Sequence, residues 1–409
     1  MVTDHPAGRV PLGEIALAFL KLGIIAFGGP AAHIALMEEE FVRRRRWLTQ
    51  QEFLDRLGAA NLIPGPSSTE MAIYIGHSKR GWPGLIIAGC CFIIPAAILI
   101  CFVAAAYVRY GSMAQIAGVL YAVKAVVIAV ILQAFWKLAQ TAVKTKLLGL
   151  IGILSATLFA FGCNSLVVLL VAGTLGAVPA LLIVRKQLKG KLAGSAMAWL
   201  ISLKPKIFAS KTLIAFAGAA GTLAAVPFSL WRLFLTFLKI GSLLFGSGYV
   251  LLAFLRSDFV VRLHWLTEKQ LLDSIAMGQV TPGPVFATAT FIGYILGGVP
   301  GAIVATVGIF LPGFLLVAVS GPLIPRIRSS AFASAALDGV IAGSLALMGV
   351  AAWQLGRAAL VDPLTIAIAC VSLLLLLRFR VNVMWLILAA AIIGMIHGGM
   401  IHGGMIHSP

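Results

Sequence analysis

Uninterrupted apolar runs such as AGCCFIIPAAILICFVAAAYV (residues 88–108) and LVVLLVAGTLGAVPALLIV (166–184) leave this chain few folds to choose from. Each is close to the ~20 residues of helix that cross the hydrocarbon core of a bilayer. Lipid offers the backbone no hydrogen bonds, so such segments must satisfy their own, and a helix does that within one segment. Of the 409 residues, 61% are hydrophobic and 11% charged, against about 25% charged in an ordinary soluble domain, and the mean hydropathy is +1.04. The expected fold class is an all-α polytopic membrane protein. The opening MVTDHPAGRVPL lacks a basic region followed by a small-residue cleavage site, so no removable signal peptide is expected.

The five cysteines show no CxxC pairing, which argues against a disulfide framework or zinc site; no metal or cofactor is expected. The net charge of +18 resides mainly in short loops between apolar runs. That is the pattern of the positive-inside rule, and nucleic acid is not expected as a partner.

The sequence repeats itself. FLKLGIIAFGGP at Phe19 is answered by FLKIGSLLFGSG at Phe237, and RRWLTQQEFLD by RLHWLTEKQLLD, both 218 residues later. IPGPSSTEMAIYIG is answered by TPGPVFATATFIG, after which the offset is 217, and Trp136 matches Trp353. We expect a first repeat over 12–184, a basic then Ala/Gly-rich linker over 185–229, a second repeat over 230–396 and a low-complexity His/Gly/Met tail over 397–409. Candidate spans fall near 12–36, 84–108, 114–137, 147–161 and 165–184, then near 230–254, 300–319, 333–356, 363–377 and 383–396. Five spans per half plus a broken re-entrant hairpin invert the second half. That arrangement collects twenty-one basic residues on the side of Arg43 to Arg46 and five on the other. Inverted repeats with discontinuous helices are a plan of secondary transporters.

The hairpin is read from NLIPGPSSTE, residues 61–70. Capping-box patterns begin helices at Thr49 and Thr267, and Pro64, Pro66, Pro282 and Pro284 then break them. The pieces on either side of the first break, 49–63 and 67–77, reach about 22 and 16 Å, each half a crossing. The helix resumed after Gly65 or Gly283 starts inside the membrane, with the N–H groups of Ser67, Ser68 and Thr69 unpaired and a positive dipole end. These groups suit an anion. FGGP, with Gly28 and Gly29, and FGSG, with Gly246, serve either close helix packing or ligand-facing unwinding. Lys21 and Lys239, equivalent in the repeat, are either anion counter-charges or interfacial anchors. Glu70 has Thr288 as its counterpart; it is a proton carrier or a salt-bridge partner of Lys21 or Arg56. Asp55 and Asp273 are matched and either take part in coupling or pair locally. Lys124 and Asp338 are read as a buried structural pair.

FGGPAAHIALMEEEFVRRRRWLTQQEF with NLIPGPSSTEMAIYIGHSKRGWPG, then FLKIGSLLFGSGYVLLAFL with TPGPVFATATFIGYILGG, resemble the chromate ion transporter family in its two-domain form. The resemblance covers residues 12–357. It implies a transporter rather than an enzyme, exporting chromate through the bacterial cytoplasmic membrane on the membrane potential or proton gradient, with sulfate as the close analogue. The residues alone reach an inverted-repeat transporter of an anion and leave a passive anion channel open. The bilayer and protons are the other expected partners, and a homodimer stays open beside a monomer.

Overall fold

The computed structural model describes residues 10–26, 29–111, 113–191, 227–245, 248–320, 330–379 and 381–406. Gly28, Gly246 and 192–226 of the expected linker lie outside them. The described residues form fourteen helices, seven to each half. The first half comprises α1 (Leu12–Ile25), α2 (Pro30–Glu38), α3 (Gln50–Ala60), α4 (Ser67–Tyr110), α5 (Ala114–Ala142), α6 (Lys146–Ala160) and α7 (Ser165–Lys191). Its counterparts are α8 (Leu230–Leu243), α9 (Leu251–Leu255), α10 (Glu268–Val280), α11 (Thr288–Ser320), α12 (Ala331–Ala359), α13 (Pro363–Leu374) and α14 (Val383–Ile406). The last helix runs on through residues the sequence reading assigned to a separate tail.

The first expected span of each half is not a crossing. Arg45 donates to Glu14 at 2.8 Å, Phe19 packs on Phe41 with ring centroids 4.8 Å apart, and His33 bonds the Ala26 carbonyl at 3.1 Å. Residues 14 and 45 of a straight helix would stand about 45 Å apart. The segments α1 and α2 therefore lie back against each other as the arms of a helical hairpin. The second half repeats this, with Phe237 on Phe259 at 4.9 Å and Phe228 on Trp265 at 5.2 Å. The two buried pairs, Phe19–Phe41 and Phe237–Phe259, add about 0.5–1.5 kcal/mol each beyond the area they bury. Arg232 consequently shares an end of the molecule with Arg256 and Arg262, opposite to the end expected for it.

A second hairpin follows. Both expected capping boxes form, at Thr49 with Glu52 and at Thr267 with Gln270. After the PGP break, α4 runs back out and then reverses at Arg80 and Gly81, where Gly81 has φ +59°; Gly298 turns α11 with φ +62°. Only glycine adopts that left-handed region without strain. The arms meet at bare backbone, for a Cβ on Gly76 would lie 2.3 Å from the Gly84 carbonyl oxygen and one on Gly293 2.3 Å from that of Gly301. The long arms beyond the reversals, with α5 and α12, belong to four helices long and apolar enough to cross a membrane.

The halves run antiparallel. Tyr74, early in α4, hydrogen-bonds Ser320 at the end of α11, while Tyr107, late in α4, packs on Phe291, early in α11, at 5.4 Å. They also exchange partners: α5 packs against α13 and α14, and α12 against α6 and α7. A Cβ on Gly394 would lie 2.2 Å from the Gly118 carbonyl oxygen, and one on Gly176 2.6 Å from that of Ala335, the small-residue contacts that let membrane helices approach closely. In a cysteine-free background, Tyr74→Cys/Ser320→Cys is expected to be joined by a short bifunctional thiol reagent and to shift mobility on a gel, since loss of the tyrosine ring leaves the two sulfurs too far apart for a direct disulfide. A well-expressed double variant that stays uncross-linked would contradict the antiparallel packing.

Candidate functional site

Four hairpin tips meet at the centre. The Gly65 N–H, in the first PGP break, donates to the Leu244 carbonyl just before FGSG at 2.7 Å. The Gly283 N–H, in the second break, donates to the Ala26 carbonyl just before FGGP at 2.8 Å. The two bonds are counterparts under the repeat. Each joins the second hairpin of one half to the first hairpin of the other. Gly65 and Gly283 hold φ of +144° and +95°, and Gly29 holds +82°. A Cβ on Gly283 would stand 2.5 Å from the Ala96 Cβ, and one on Gly65 2.2 Å from Glu70 Oε1, so glycine is required by both conformation and space.

Ser68, Thr69, Glu70, Gly283 and Thr288 are all buried around these tips. Thr69 and Glu70 N–H both close on the Pro66 carbonyl, at 2.7 and 3.0 Å, which narrows the free donors of this helix end to Ser67 and Ser68. In the second half the residue missing after PGP is taken up by a tight turn, Val285–Ala287, and the Thr288 hydroxyl donates to the Val285 carbonyl at 2.8 Å. Glu70 is fully buried, and neither of its carboxylate oxygens nor the Thr69 hydroxyl has a hydrogen-bond partner. Lys21 and Arg56, its expected partners, do not pair with it. His33, which the sequence offers only as a catalytic candidate beside His77, also stands at this site. Its Nε2–H donates to the same Ala26 carbonyl that accepts from Gly283, and its buried Nδ1 has no partner. The available signal was a lone histidine in an otherwise apolar turn after FGGP, whose repeat counterpart is Leu251.

The chromate transporter family model matches residues 13–177 and again 231–395. The chain belongs to the chromate transporter family. It is 30% identical over 400 residues to a chromate transport protein of Cupriavidus metallidurans, covering 96% of this chain and 94% of the other. A chromate transport protein of Pseudomonas aeruginosa is 32% identical over 406 residues, 96% of this chain and 95% of that one. An uncharacterised transporter of Methanocaldococcus jannaschii is 28% identical over 385 residues, 93% of each chain. No solved structure matches it.

Other charged residues of this chromate transporter family member lie away from the tips. Lys239 meets Asp258 at 2.5 Å, and Arg262 meets the same carboxylate at 3.0 Å. Lys21 is exposed, and its field reaches Glu40, the counterpart of Asp258, which also holds Arg44 and Arg45. Lys239 thus belongs to the ion-pair cluster that closes its hairpin, whereas its counterpart Lys21 makes no ion pair among the described residues. The missed signal was an acid at the same repeat offset as each lysine. Asp55 is exposed and accepts from Gln51 on its own helix at 3.2 Å. Asp273 is fully buried and pairs with Lys124 at 2.7 Å. The expected Lys124–Asp338 pair is therefore corrected: Asp338 meets Lys144 at 3.3 Å, because antiparallel halves bring different turns of α5 and α12 together.

Lys239→Met is expected to lower thermal stability in detergent. The loss should fall below the about 3–5 kcal/mol of a broken, fully buried pair, since Arg262 still reaches Asp258. Lys239→Met/Asp258→Leu should recover most of it, and a double variant no more stable than the single one would show that the pair is not what holds the hairpin.

Proposed function

We propose that this protein is a secondary transporter that exports chromate, and sulfate as its analogue, from the bacterial cytoplasm and so confers chromate resistance. Family membership and the relatives named as chromate transport proteins support chromate transport across the membrane. The observation that carries the mechanism is the pair of reciprocal bonds, Gly65 to Leu244 and Gly283 to Ala26. Exchange of these bonds for bonds to an anion is a local event that reaches both halves at once. Irregular backbone at membrane depth, flanked by helix N-termini, is the usual substrate site of inverted-repeat transporters. The anion is held by the backbone and hydroxyls around Gly29, Gly65, Ser67, Ser68, Thr69, Gly283 and Thr288; Gly28 and Gly246, also expected for the anion, lie outside the described residues.

Orientation follows from charge. Arg43 to Arg46 share an end with Lys79 and Arg80, beside the start of α1, and this end faces the cytoplasm by the positive-inside rule. A dianion leaving an inside-negative cell gains about 4.6 kcal/mol per 100 mV. Coupling then serves direction and selectivity, and Glu70 is the residue for it. An unpaired buried carboxylate is costly when charged, and its charge would repel the substrate. Glu70 is protonated while the anion is bound and releases its proton on the return.

Proteoliposomes containing the purified protein test both points. Chromate flux should respond to an imposed potential and to pH, and Glu70→Gln should keep anion binding and lose the pH dependence. A wild-type pH profile in that variant would remove Glu70 from coupling, and a conductance indifferent to protons would make the protein a channel. Arg44→Cys and Arg262→Cys should react with an impermeant thiol reagent from opposite faces; labelling of both from one face would overturn the orientation.

A further inference from the structure

A second polar site lies about two turns of α10 before the PGP break. Asp273 and Lys124 form an ion pair there, with side-chain exposures of 0% and 11%. Tyr107 donates its hydroxyl to the other oxygen of Asp273 at 2.8 Å. A cavity of about 360 Å³ opens on the pair, and Lys269 and Tyr121 stand on its wall. Two ammonium groups and two phenols thus line one space with the Asp273 carboxylate, while Asp362, next to the lining residue Val361, takes the Tyr121 hydroxyl.

The architecture does not require this pair. At the corresponding place in the other half, Asp55 is exposed and the counterpart of Lys124 is Ile341. Buried ion pairs are weak sources of stability and are better attested as specificity or switching devices. Here the carboxylate has two partners, so removal of one leaves it hydrogen-bonded. Tyr107 also spans the second hairpin, bonding Asp273 on the inward arm and packing on Phe291 of the outward arm. A change at Lys124 therefore meets the segment that carries Gly283.

We propose that this cavity is a second oxyanion site, a vestibule at the end of the molecule away from Arg43 to Arg46. In it Lys124 leaves Asp273 for a tetrahedral dianion, Lys269 supplies the second positive charge, and Tyr107 keeps Asp273 satisfied meanwhile. The ion pair closes the vestibule when no anion is present. This rests on the reading of the protein as an oxyanion transporter, and it concerns a site separate from the hairpin tips.

Equilibrium binding of radiolabelled sulfate to the detergent-purified full chain tests it. The wild type should bind two ions per chain. Lys124→Gln/Asp273→Asn removes both charges and so avoids an orphaned buried carboxylate; it should elute as the wild type does and bind one ion. Lys269→Gln, on the exposed wall, should weaken the same site at least tenfold. Two ions in the double variant, or one ion in the wild type that the double variant retains, would overturn the vestibule and leave the central site standing. One ion in the wild type that the double variant loses would keep the vestibule and overturn the central site. No sulfate or chromate bound by the wild type would overturn both.

Discussion

Two backbone hydrogen bonds tie this molecule together, from Gly65 to Leu244 and from Gly283 to Ala26. Each satisfies a carbonyl left over where a first hairpin breaks and an N–H left over where a second hairpin breaks. In a medium without water those groups cost several kcal/mol each if unpaired. A hairpin tip inside the membrane is therefore tenable only when another tip meets it. The exchange between halves provides that partner twice, and much of the remaining architecture keeps the tips in register. The glycine contacts Gly76 with Gly84 and Gly293 with Gly301 hold the arms of the second hairpins together. The ion pairs Glu14–Arg45 and Lys239–Asp258 close the first hairpins.

On this symmetric frame the chemistry is asymmetric. Glu70 and His33 belong to the first half, where the second has Thr288 and Leu251. The buried Asp273–Lys124 pair joins the second hairpin of the second half to α5 of the first, and the repeat counterparts of the two residues are exposed Asp55 and Ile341. Duplication thus accounts for the scaffold, and divergence at a few positions for its chemical asymmetry.

Much of the design was legible in the sequence. The apolar runs forced helices, the offset of 218 and then 217 marked two homologous halves, and the PGP motifs with their capping boxes located the second hairpins. The first hairpins were not legible. An apolar run of about 25 residues with a glycine pair reads equally as one kinked span or as two arms, since hydropathy does not record direction. The Glu14–Arg45 and Phe19–Phe41 contacts decide for two arms.

The sequence by itself determined helical class, the PGP breaks and membership of a repeat, because these depend on local propensity and on the solvent each segment demands. Which tip meets which, and which cation neutralises Asp273, Asp258 and Asp338, depended on the packing of antiparallel halves. Lys124, Lys239 and Lys144 are alike to any local rule. Only the tertiary structure brings each within ion-pair distance of one carboxylate, because Coulomb energy depends on separation in space, and separation along the chain does not fix it.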